Sequence, residues 1–181
     1  MLVQRKRILW MLAGIGGLLS IPLIAMQFTE EVNWQLGDFL IMGAVLLGLG
    51  LLYEFIAQRS ENTVYKAAFA IGLLGAFLLF WVNAAVGIIG NEGQDANLLY
   101  GAVFVVGLIG AIISRFKARG MSITLFIAAA VQMLVPVAAY FIWSPPETSW
   151  SPSVLGIFIM SGFFASLFVL SGFLFRQAVN N

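Results

Sequence analysis

Six long apolar runs dominate the chain, at residues 8–28, 36–57, 64–90, 96–114, 121–143 and 153–175, with short polar breaks between them. Each run is close to the ~17–25 residues that a tilted helix needs to cross a hydrocarbon layer. The alternating ten-residue segments of a membrane β-barrel do not occur. Inside hydrocarbon, every backbone N–H and C=O must find a partner within the protein, and a helix meets that condition along its length. The pattern predicts an all-α integral membrane protein, one transmembrane domain over 1–181 built as a six-helix bundle. The first run follows Arg5-Lys6-Arg7 and so also resembles a cleavable signal peptide, but it is long enough to span and is read as an uncleaved first helix.

The polar breaks differ in sign. Arg5, Lys6 and Arg7 precede the first run, Arg59 and Lys66 mark the second junction, Arg115, Lys117 and Arg119 the fourth, and Arg176 follows the sixth run. These are all nine basic residues, and they fall on one face. The positive-inside rule makes that face cytoplasmic, with both termini on it. The opposite breaks carry Glu30, Glu31, Asp38, Glu92, Asp95 and Glu147. Trp34, Trp143 and Trp150 near the outer ends and Trp10 near the inner end fit interfacial aromatic belts. Gly43-Ala44-Val45 matches Gly101-Ala102-Val103, and Pro22 and Pro136 sit at comparable depth in the first and fifth runs. This is consistent with three repeated helical hairpins, and equally with chance recurrence of small residues in apolar helices.

Composition sharpens the class. The chain is 61% hydrophobic and 9% charged, against about 25% charged in soluble domains. A net charge of +1 without a basic stripe gives nucleic acid nothing to follow. Cys and His are both absent, which removes the usual ligands of zinc, haem and iron–sulfur clusters and the usual covalent catalysts. No Ser/His/Asp set, phosphate-cradling Gly-Lys loop or metal-ligand pair occurs; no enzyme activity and no cofactor are expected. Membrane lipids are expected neighbours, together with further copies of the chain or a partner in a membrane complex.

Polar side chains at membrane depth are costly, so each is a site candidate by default. Asp38 opens the second run, Asn83 lies about two turns before the outer end of the third, and Glu92, Asp95 and Asn97 surround the next turn. These acceptors, roofed by Trp34 and Trp81, would form an outer-leaflet pocket suited to a cation, an amine or a lipid headgroup. Their structural reading is plainer: Asp38 and Asp95 as first-turn acids, Asn97 satisfying N–H groups at the fourth helix start, and Asn83 making one interhelical hydrogen bond. Glu54, near the inner end of the second run, is either a protonatable coupling group or the partner of a snorkelling cation such as Arg59, Arg115 or Lys117. Gln132, one turn before Pro136, either lines a cavity where the proline frees a backbone carbonyl or hydrogen-bonds that carbonyl. The stretch from Phe28 to Trp34 reads as an interfacial turn. The loop from Ser144 to Pro152, stiffened by Pro145, Pro146 and Pro152, reads as a contact surface. Glycines inside the runs fit close helix packing, or a hinge or flat groove.

Phe28-Thr29-Glu30-Glu31-Val32-Asn33-Trp34 leading to Asp38-Phe39, Tyr53-Glu54, and Trp81-Val82-Asn83 followed by Gly87-Ile88-Ile89-Gly90, Glu92 and Ala96-Asn97-Leu98 together carry a resemblance. Over its first two thirds, through the Arg115–Arg119 loop, the chain resembles a family of small uncharacterised bacterial multi-spanning membrane proteins. The resemblance implies a multi-pass protein of the bacterial inner membrane and, since that family has no assigned activity, no catalytic residue. The family pattern has proline before Ala-Asn where this chain has Asp95, which leaves Asn83, Glu92 and Asn97 as the site residues that match. Three functions are expected from these features: a small-solute or ion transporter or channel using Asp38, Asn83, Glu92, Asn97 and Glu54; a non-catalytic accessory or scaffold subunit; or a lipid- or quinone-binding protein with a groove beneath Trp34 and Trp81.

Overall fold

The computed structural model describes residues 2–29, 32–57, 60–145 and 149–180. They form α1 (Leu2–Ala25), α2 (Leu36–Ile56), α3 (Thr63–Ala85), a 3-10 helix (Asp95–Tyr100) that runs directly into α4 (Gly101–Ser114), α5 (Ala118–Ile142) and α6 (Val154–Ala178). Six helical segments, the 3-10 helix counted with α4, are long and apolar enough to cross a membrane. No strand occurs among the described residues. The chain is therefore a polytopic, all-helical membrane protein. Glu30, Glu31, Arg59 and Glu147, named above among the loop charges, lie outside the described residues.

The helices divide into two compact units, Met1–Phe55 and Ile56–Asn181. In the first, α1 and α2 pack in antiparallel register: Arg7 meets Glu54 at 3.7 Å, Met11 packs over Gly50, and Leu19 packs over Gly43. Glycine at 50 is what lets Met11 lie against the α2 backbone, since lipid offers no hydrophobic gain for helix association and close packing must supply it. The helix α1 begins before the apolar run because Arg5, Lys6 and Arg7 are themselves good helix formers.

In the second unit α6 lies between α3 and α5, and α4 packs on α5. The same small-residue logic sets these contacts. A Cβ on Gly75 would come within 3.2 Å of Leu167 and Phe168 on α6, and one on Gly110 of α4 would collide with Thr124 of α5. Leu79, Ile157, Phe164 and Phe175 fill the centre and are fully buried. Hydroxyls then fasten the helices: Ser122 donates to the Gly172 carbonyl at 2.8 Å and Ser171 to the Ala68 carbonyl at 2.6 Å.

Lys66, Arg115, Lys117, Arg119 and Arg176 all mark one end of this unit, where α3 starts, α4 turns into α5 and α6 finishes. That end is locked. Asn62 caps α3 by accepting from the Tyr65 N–H and reaches across to donate to the Ala178 carbonyl at the close of α6. The α4–α5 turn places Arg115 (φ 50°) and Phe116 (φ 59°) in the left-handed region, a strained conformation for non-glycine residues. The Tyr65 hydroxyl holds it by donating to the Phe116 carbonyl at 2.6 Å.

The largest departure from the hydropathy pattern lies at the opposite end. The apolar run reaches Gly90, but α3 stops at Ala85. Gly87 (φ 70°) and Gly90 (φ 73°) turn the backbone out of the helix, and at Gly87 a side chain would also strike the backbone of Asn91. Ile88 and Ile89 are apolar because this connection folds back and buries them.

Candidate functional site

Within the second unit, polar side chains at and below the far end sort into those whose hydrogen bonds are complete and those whose are not. Asn97 is the complete case. It is 3% exposed. Its Oδ1 accepts from the N–H groups of Ile88 (3.0 Å) and Ile89 (2.9 Å), and its Nδ2 donates to the carbonyls of Ile89 (3.0 Å) and Asn91 (2.7 Å). One amide thus substitutes for the secondary structure that the 86–94 connection lacks, at a depth where unpaired backbone would be costly. The sequence reading had Asn97 serving the start of the fourth helix; it serves instead the exit from the third. Gly90 N–H then donates to the Ser151 carbonyl at 3.3 Å, tying this connection to the α5–α6 loop. In that loop Trp150 is buried, donating from Nε1 to the Trp143 carbonyl and packing edge-on against Tyr140. Burial and a satisfied indole N–H make it a fastener of the loop rather than a lipid-facing belt residue.

Asn83 is the intermediate case. Its Nδ2 donates to the Asn97 carbonyl at 3.2 Å, which brings these two candidates together, but its buried Oδ1 has no partner. The buried Oε1 of Gln94 is likewise unpartnered. Glu92 stands exposed on the same connection and Asp95 at the start of the 3-10 helix, and Trp81, half-buried, stacks with Phe77 at 6.2 Å between ring centroids. In the first unit, Asp38 is exposed and accepts from the Gln35 N–H at 2.7 Å, capping α2 as its first-turn position suggests. Trp34 packs edge-on against Phe39. Glu54, 16% exposed, has an ion-pair partner, but it is Arg7, a residue the sequence reading did not consider for this pairing.

Gln132 is the opposite extreme from Asn97. It lies on the buried face of α5, is 0% exposed, and neither Oε1 nor Nε2 has a partner. It therefore does not bond its own carbonyl. Pro136 has no N–H to offer that carbonyl four residues earlier, so the backbone acceptor of Gln132 also lacks its helical donor. The depth of Gln132 follows from the α5–α6 register: Met133 faces Gly162, next to Ser161. Ser161 Oγ pairs with the Tyr100 hydroxyl at 2.8 Å, both fully buried. Tyr100 closes the 3-10 helix, which itself packs on α5. One layer of the unit thus carries two hydroxyls and an uncommitted amide.

Tyr100, Ser161 and Gln94 were not singled out from sequence. Nothing distinguishes Ser161 from the other serines of the apolar runs until its partner is known. Tyr100 falls inside the apolar run 96–114, where nothing marks it as the partner of a serine two helices later. No group of three or more potential metal ligands occurs among the described residues. No family model, no curated protein and no solved structure matches the chain.

Proposed function

We propose that the protein is a transporter or channel for a small solute, a multi-pass protein of a bacterial inner membrane with its basic end cytoplasmic. The observation that carries the reading is the fully buried Gln132 amide with both atoms unpaired. An amide left so in an apolar core costs on the order of 2–7 kcal/mol, and membrane-embedded polar groups that bear such a cost line substrate pathways. The buried, unpartnered acceptors of Asn83 and Gln94 extend the same pattern toward the far end of the unit. Charge selects among the expected substrates: α3, α4, α5 and α6 carry no Asp or Glu, so a cation passing between these helices would meet no counter-charge, and an uncharged solute fits better. The reading does not depend on a threefold hairpin repeat.

The test is solute-driven swelling of proteoliposomes, followed by light scattering, with glycerol, urea and acetamide, beside potassium and ammonium fluxes. An uncharged solute should enter faster than into protein-free liposomes, and Gln132→Leu should remove the difference while remaining folded. Equal rates with and without protein for every solute, or an unaffected variant, would overturn the reading.

A second reading, an accessory subunit of a membrane complex, has one observation in its favour. Gly14, Gly16, Gly17 and Gly48 have no atom near enough to touch an added Cβ, leaving small-residue surface on α1 and α2 of the kind that receives another helix. Native mass spectrometry of the gently extracted protein separates the two: a foreign subunit of fixed stoichiometry supports the accessory role, a homo-oligomer with no companion supports transport, and a retained small mass points instead to a lipid or quinone ligand.

A further inference from the structure

The Gln132 amide can be asked which ligand would satisfy it, an inference that rests on the transport reading and deepens it. A primary amide presents a donor and an acceptor side by side on one edge, with a second N–H pointing away. A ligand with only an acceptor, such as a quinone carbonyl, would engage Nε2 and leave Oε1 buried and unpaired. A ligand with only donors, such as an ammonium ion, would engage Oε1, leave Nε2 unpaired and bring a charge into helices with no counter-charge. The edge is matched in one step by a molecule bearing its own acceptor and donor in the same relation. The Gln132 carbonyl, deprived of its helical donor by Pro136, adds a further acceptor on the same residue. At the same depth the Tyr100–Ser161 pair holds two hydroxyls but uses only one hydroxyl proton between them, so one donor remains for an acceptor brought alongside.

We propose that Gln132 is a binding residue for a small neutral carboxamide or urea-type solute, seated edge to edge on its side-chain amide in the layer of Tyr100 and Ser161. Net neutrality is required by the absence of Asp and Glu from the four helices. Small size follows from the close packing around the residue, which is 0% exposed.

Swelling rates with acetamide, urea, glycerol and water, and melting temperatures in detergent with and without acetamide, test this on wild type, Gln132→Leu and Gln132→Met. Acetamide and urea should permeate well ahead of glycerol, and both variants should lose about tenfold or more of that rate, as expected when two hydrogen bonds to the solute vanish. Acetamide should raise the melting temperature of the wild type and not of the variants. Glycerol passing as fast as acetamide, with both lost in the variants, would overturn the solute class and leave transport standing. Acetamide stabilising the wild type without any permeation would keep the site and overturn transport. Raised permeability to water alone, or no response to acetamide in either measurement, would overturn the proposal.

Discussion

Two side-chain amides, Asn97 in the connection after α3 and Gln132 in the middle of α5, are both buried, yet one makes four hydrogen bonds and the other none. The contrast arises from what each neighbours. Asn97 stands against backbone that has left its helix, where Gly87 and Gly90 have turned the groups of Ile88 and Ile89 away from helical partners. Gln132 stands within a helix and faces others whose backbones are already paired, and neither atom of its side-chain amide meets a partner. The first amide is consumed by the fold, and its worth is stability. The second is a cost to the fold, and that cost is what marks it as available for something else.

Substitutions can break this comparison in order of size. Asn97→Leu strands two N–H groups and the Ile89 carbonyl in a buried connection, while the Asn91 carbonyl keeps the Gln94 N–H; at roughly 1–3 kcal/mol for each buried group left unpaired, the loss should exceed about 3 kcal/mol. A collapse in folded yield and melting temperature checks it. Gly87→Ala meets both a left-handed φ and the Asn91 backbone, and should cost about 2 kcal/mol or more by the same thermal measurement. Tyr100→Phe and Ser161→Ala should each cost about 1 kcal/mol, and the double variant about the same as either single, because all three remove one hydrogen bond. A double variant equal to the sum of the singles would mean that the pair is not the unit. Smallest of all, Glu54→Gln should shift stability by less than about 1 kcal/mol, since its partner Arg7 is half exposed. A larger loss, or a loss of solute flux without loss of stability, would move Glu54 from an ion pair of the α1–α2 hairpin to the transport path.

Much of the fold was legible in the sequence because hydropathy and length dictate where helices can lie in a membrane. The run 36–57 became α2 and the run 153–175 became α6 within a few residues. The run 64–90 misled because hydropathy reports burial, not helicity. Ile88 and Ile89 are apolar because the connection buries them, and Gly87 and Gly90 were the available sign that it is not helical. At the candidate site, Asp38 was readable as a first-turn acid from its place at the start of the run, and the structure adds that it accepts from the Gln35 N–H. Glu54 was readable as an ion-pair former, but its partner was not, since the pairing depends on the register of α1 against α2. Gln132 stood out beside Pro136, whereas the sequence offered no means of telling a bonded amide from an open one. That distinction lies in the packing of four helices, which residue types alone do not encode.

The most direct measurement is the melting temperature of Gln132→Leu in detergent, with no solute added. Leucine fills a similar volume and removes two buried polar atoms that the fold does not use. The account predicts that the variant melts at the same temperature as the wild type or higher. A melting temperature lower by several degrees would show that the amide is bonded within the resting protein and contributes to its stability, and would contradict the claim that it is held open for a ligand.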